Sequence, residues 1–181
     1  MSSVPSETFT RTLKALYRHR SVLAEYMAVD NGQLAAVVDE LLRAKKEKLP
    51  VYVAGNGGSA ANASHMVLHL RQAGILAVDL GHGPLMSAIS NDEEYKNSFA
   101  GQVGHQGVTL VFSCSGNSPN ILELLRRSNG SKIGFLGFNG GKALGMVTHP
   151  VLVTGTDYGI LEDAHSALIH IVVDSIGVNY R

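Results

Sequence analysis

The reading of this chain turns on residues 51–70, VYVAGNGGSAANASHMVLHL. The opening apolar run has the length and composition of a buried strand. It breaks into Gly55-Asn56-Gly57-Gly58-Ser59 and resumes as an Ala-rich helical segment. A strand, a glycine turn and a helix opening at a serine present backbone N–H groups and the positive end of a helix to an anion. The bland alternative is a turn whose glycines only let strand and helix pack closely. The same helix carries His65 and His69, four residues apart and therefore on one face.

Outward from this stretch the pattern repeats. Short apolar runs fall at 51–54, 75–79, 108–112, 132–138 and 150–153, with helical segments between them and a last helix from about 160 to 176. Alternating strands and helices predict an α/β fold, a doubly wound five-stranded parallel sheet covered on both faces. A flavodoxin-like strand order would put ligands at the carboxyl ends of the strands. Two amphipathic helices precede the sheet. One spans 6–28, with Ser6 as its cap and Phe9, Leu13, Leu16, Leu23 and Met27 as its apolar stripe. After the break at Asp30-Asn31-Gly32, the other spans 33–48 and ends in a lysine cluster that suits the helix dipole. Two helices are more than one small sheet needs, which points to a second subunit. The expected organisation is one domain over 1–181, with N-terminal helices at 1–48 and an α/β core at 49–181.

Composition narrows the function. The chain has 181 residues, 45% hydrophobic and 17% charged, with Lys+Arg and Asp+Glu both at 15 and zero formal net charge. That excludes a bulk basic field for nucleic acid or a membrane surface. Aromatics at 6% and the absence of Trp leave little for base stacking. The one cysteine, Cys114, has no partner in the chain for a disulfide, and no apolar stretch reaches ~18 residues. A cytoplasmic protein with neither nucleic-acid nor membrane partner is expected.

Three further segments carry polar chemistry. Ser113-Cys114-Ser115-Gly116-Asn117-Ser118-Pro119 follows the third strand and leads into a helix opening at Pro119. Its hydroxyls and backbone amides suit a phosphate without Lys or Arg, or else it is an ordinary Ser-capped helix start. Ser90-Asn91-Asp92 reads as a turn or as hydrogen-bonding groups for a sugar. The last helix holds Glu162, His165 and His170. Glu162 and His170 lie about 80° apart around that helix and can face one cleft. His170 sits in the apolar run LIHIVV, where a histidine is commonly a satisfied core group.

Together these motifs resemble the sugar isomerase (SIS) domain family, and within it the phosphoheptose isomerases. GNGGSAANASH is similar to that family's GNGGSAADAQH, SCSGNSPNIL to its STSGNSPNVL, SNDEEY to its GNDFGY, and LEDAHSALIH to its IQEIHIKVIH. The resemblance covers residues 51–172. It implies a homotetramer with active sites at subunit interfaces, interconverting sedoheptulose 7-phosphate and D-glycero-D-manno-heptose 7-phosphate. It implies a substrate site of Asn56, Gly57, Ser59, Asn91, Asp92, Ser113, Cys114, Ser115 and Ser118, with Cys114 where the family has Thr. It implies one Zn²⁺ or similar divalent ion per subunit on His65, His69, Glu162 and His170.

Three departures matter. The family's catalytic Glu is His69 here, its Gln is Glu162, and an Asp is replaced by Gly159, with Asp157 and Asp163 nearby. Glu162 or His69 is then the expected base and His170 the acid, for a metal-assisted aldose–ketose isomerisation through an enediolate. The rival reading is a non-catalytic SIS protein that binds a phosphosugar or a protein partner, as in the replication initiator-associating branch.

Overall fold

The computed structural model describes residues 7–28, 32–104 and 106–177. The elements in chain order are α1 (Glu7–Ala28), α2 (Gly32–Glu47), β1 (Val51–Gly55), α3 (Gly58–Gln72), β2 (Ala77–Asp79), α4 (Gly83–Asp92), β3 (Val108–Ser113), α5 (Pro119–Arg127), β4 (Lys132–Gly137), β5 (His149–Val153) and α6 (Tyr158–Ile176). Short 3-10 turns occupy Tyr95–Asn97, Ala100–Gln102 and Lys142–Gly145.

The five strands form one parallel sheet in the order β2-β1-β3-β4-β5. This is the expected doubly wound, flavodoxin-like order, whose chain reversal lies between β1 and β3. The central strand β3 is buried at all six positions, as helices on both faces require. Side chains alternate between the faces. Leu110, Phe112, Ile133 and Phe135 pack with Met66, Leu70, Leu161 and Leu168 on one face. Val111 and Leu136 pack with Leu80, Phe99, Ile121 and Leu124 on the other.

The N-terminal helices divide in role. α2 buries Val37, Leu41 and Ala44 against α6 and β5, so it belongs to the chain's own core. α1 packs on α6 through Val22, Leu23 and Tyr26, but Leu16 and Tyr17 are 62% and 65% exposed. Among the described side chains of the α1 stripe, Leu23 faces inward whereas Leu13 and Leu16 are exposed. Ser6, Asp30 and Asn31 lie outside the described residues, as do the side chains of Phe9 and Met27.

Most boundaries fall within a residue or two of expectation, and two of the differences have a clear physical cause. β2 starts at Ala77 rather than 75, because Ile75 is still tied to the end of α3 through its N–H to Leu70 O. α4 runs through Asp92, so Asn91 and Asp92 form its last turn rather than a turn after it. The Glu93 N–H to Ile89 O bond continues the helical ladder to that point. Among the described residues no helix is long and apolar enough to cross a membrane.

Candidate active site

The loops after β1 and β3 meet at the carboxyl edge of the sheet. They line a cavity of about 180 Å³ with Asn56, Ser59, Phe112, Ser113, Cys114, Ser115, Ser118, Tyr158 and Glu162. Both helices that start there lack a side-chain cap: α3 opens from Gly57 and α5 from Ser118, with Pro119 in its first turn. α6 is different, since Asp157 caps it through Gly159 N and Ile160 N. The uncapped first turn of α3 leaves N–H donors for a ligand, whereas in α5 Pro119 has no N–H and the Ile121 N–H is taken by the Asn120 side chain; both helix dipoles favour an anion. Ser118 therefore sits at a cap position without making the cap bond.

Glycines let these loops close. A Cβ at Gly55 would overlap the backbone of Ser59 and Ala60, so the turn after β1 has no room for a side chain. Gly116 has φ +61°, and a Cβ there would strike the Gly140 carbonyl. Within the second loop, the Ser113 hydroxyl accepts from Gly116 N at 3.1 Å and the Ser115 hydroxyl from Asn117 N at 3.2 Å. Each hydroxyl proton stays available to donate outward. Ser59 Oγ lies 3.9 Å from Cys114 Sγ, and burial pushes the Cys114 thiol upward in pKa, so it stays protonated near neutral pH.

Asn120 and Tyr95, to which the sequence assigned no role, hold the loops together through Asn56. Asn56 and Asn120 form a reciprocal amide pair, at 2.9 and 3.0 Å. Asn120 is fully buried and also accepts from Ile121 N. Tyr95 donates to Asn56 Oδ1 at 2.9 Å. An Asn directly after the proline that opens α5 was the one available signal. Tyr158, in the first turn of α6, lines the cavity and packs its ring edgewise on Phe138, centroids 5.0 Å apart.

The other expected residues fall in several places. Gly57 is the exposed N-cap of α3. Asn91 and Asp92 are exposed and bonded to each other at 2.9 Å, and they do not line the cavity. Asp157 pairs with Arg18 and Asp163 with His19 at 2.8 Å. Glu162 enters the cavity with its carboxylate against Gly58, where a Cβ would overlap it. The first turn of α3 attracts a carboxylate by its dipole and exposed N–H groups. Asn62 fastens the two helices there by donating to Glu162 O at 2.9 Å.

Two turns farther along, α3 and α6 bring His65, His69 and His170 together, their ligand atoms all within 4.8 Å of one another. His65 and His69 Nε2 are 2.7 Å apart, and the His170 ring lies 4.9 and 5.5 Å from theirs. Three imidazoles at this spacing can hold a zinc-like ion and leave a position open. Burial, then the neighbouring His69 and His170, lowers the His65 pKa and favours the neutral, ligating form. Glu162 is not in this cluster: it leaves α6 two turns earlier and its carboxylate lies against Gly58 at the start of α3.

The two α6 histidines part company, and His170 joins His65 and His69 as the resemblance implied. His170 is exposed and clustered, whereas His165 is the core group, fully buried between Phe112 and Phe135. His165 Nε2 lies 3.2 Å from Leu136 O, which can only accept, so the proton is on Nε2. Its Nδ1 is buried without a partner.

The geometry defines an α/β protein with an anion cradle at its sheet edge and a histidine cluster beside it. The SIS domain family model matches residues 17–135, about two thirds of the sequence, and the chain belongs to that family. It is 33% identical to phosphoheptose isomerase 2 of Campylobacter jejuni, over 92% of this chain and 91% of that protein. It is 32% identical to the phosphoheptose isomerase of Clostridium acetobutylicum, over 80% and 81%. The structure of the phosphoheptose isomerase from Neisseria gonorrhoeae superposes with a TM-score of 0.85 at 25% identity, over 92% of this chain and 97% of that one.

Proposed function

We propose that this protein is a sugar-phosphate aldose–ketose isomerase acting on sedoheptulose 7-phosphate or a closely related heptose or octose phosphate. The observation that carries this reading is the cavity in which two uncapped helix starts, four cavity-lining serines and the Glu162 carboxylate converge. The similarity to phosphoheptose isomerases over nearly the whole chain supports the substrate class.

In this reading the serine hydroxyls and first-turn N–H groups hold the phosphate, and Asn56 orients the sugar. Glu162 carries the proton between C1 and C2, since it enters the cavity from α6 and not from the serine loop. His170, two turns away along α6 and outside the cavity lining, serves the histidine cluster and not as the acid that the resemblance implied. His65, His69 and His170 would hold a divalent ion, with zinc as the reading their chemistry favours. Such an ion would supply a Lewis acid for the developing enediolate oxygen. The exposed Leu16 and Tyr17 on α1 support a homo-oligomer with sites near its interfaces, with a tetramer as the proposed form. The lone buried cysteine supports a cytoplasmic setting.

The test is turnover of C6–C8 ketose phosphates by the wild type and by Glu162→Gln. A positioned proton-transfer group contributes about 10²–10⁴-fold. The expected result is heptose turnover that falls at least about 100-fold in Glu162→Gln with phosphosugar binding kept. Full activity in that variant removes Glu162 from the mechanism. Tight phosphosugar binding with no turnover by the wild type supports the non-catalytic reading instead.

A further inference from the structure

His69 and Gln72 are three residues apart on the last turn of α3, and His69 Nδ1 lies 3.0 Å from Gln72 Oε1. The Gln72 carbonyl oxygen can only accept, so the shared proton belongs to His69 Nδ1. That leaves His69 Nε2 unprotonated and able to accept, 2.7 Å from His65 Nε2. An imidazole, unlike a carboxylate, offers a lone pair at a chosen nitrogen only when its other nitrogen keeps the proton. Something must hold that tautomer and the ring's rotation about its side-chain bonds.

We propose that Gln72 is a positioning residue for the histidine cluster, holding His69 in its Nδ1–H form with Nε2 presented to a divalent ion. The inference rests on the reading of His65, His69 and His170 as a metal site. Histidine ligands are commonly fixed in this way by a partner on the distal nitrogen, and loss of such a partner costs about 10–100-fold in metal affinity. Gln72 is exposed and does not line the phosphate cavity, so its replacement leaves the fold and the anion cradle intact.

The test uses the full chain in three forms: wild type, Gln72→Leu and Gln72→Glu. Zn²⁺ affinity is measured by competition with a chromophoric chelator, and histidine tautomers by ¹⁵N NMR of the metal-free protein. The expected result is His69 in the Nδ1–H form in the wild type. Gln72→Leu should lose about 10–100-fold in Zn²⁺ affinity, and Gln72→Glu should bind at least as tightly as the wild type. Unchanged affinity in Gln72→Leu overturns the positioning role while leaving the metal site standing. An Nε2–H tautomer in the wild type, as a Gln72 amide turned to donate would impose, also overturns it. Failure of the wild type to bind Zn²⁺ overturns the metal reading, and the role of Gln72 falls with it.

Discussion

Acid should weaken this protein through His165. The side chain is fully buried against Phe112 and Phe135, and burial pushes its pKa down from 6.5 to about 4, with only the bond to Leu136 O opposing. Between these two values the unfolded chain binds a proton at this site that the native state refuses. Stability therefore rises with pH across the window and is lost as pH falls through it, at up to about 1.4 kcal/mol per pH unit. The contribution is full above pH 6.5 and exhausted below about pH 4. The gap of about 2.5 units corresponds to about 3 kcal/mol, undiminished by solvent screening at so buried a site. The assay is urea denaturation from pH 7.5 to 4.5, with a chelator present so that metal release does not add to the slope. His165→Leu, which removes the unpartnered Nδ1 with the titrating ring, should flatten that slope by about 1 kcal/mol per unit near pH 5. Parallel slopes in the two proteins would refute the reasoning, because groups other than His165, His65 among them, would then account for the acid sensitivity.

Other perturbations separate the parts of the site. Gly55→Ala should destabilise by about 1–3 kcal/mol or more, since the added Cβ meets backbone at Ser59 and Ala60, and should weaken binding of inorganic phosphate; denaturation and calorimetric titration check both. Gly57→Ala meets nothing within 4 Å but keeps φ +58° and ψ −127°, so a cost of about 1–3 kcal/mol there would be conformational strain alone, measured by the same denaturation. Asn120→Leu leaves the Asn56 amide and Ile121 N–H without their partner and should cost about 1–3 kcal/mol in thermal or urea unfolding. Chelator treatment, or His170→Ala, should abolish isomerisation while leaving phosphosugar affinity within a few-fold; activity that survives chelation would remove metal from the mechanism.

Several features of this fold were legible before any coordinates. Apolar runs of strand length separated by helical segments require a sheet covered on both faces, and the observed order β2-β1-β3-β4-β5 follows that pattern. The glycine turn after β1 and the serine loop after β3 were also legible. Parallel strands put their carboxyl ends on one edge, so two polar loops after β1 and β3 must meet there. Element ends were less legible. Whether Asn91 and Asp92 stand in a helix or beyond it depends on one Glu93–Ile89 hydrogen bond, which residue type does not reveal.

The sequence by itself determined the periodicities, and with them the sheet, its helices and the chemistry of the two loops, because burial and turn chemistry act over a few neighbouring residues. Only the tertiary structure decided the roles of the histidines and carboxylates. His165 and His170 stand on one helix in similar company, yet one is sealed against two phenylalanines and the other meets His65 and His69. Glu162 and His170, which one cleft might have joined, are drawn to opposite ends of the α3–α6 contact. The physical reason is that a helix presents several faces at once. Which side chain meets a core, a helix start or another imidazole is set by how α6 lies against α3 and the sheet, a relation between segments about 100 residues apart.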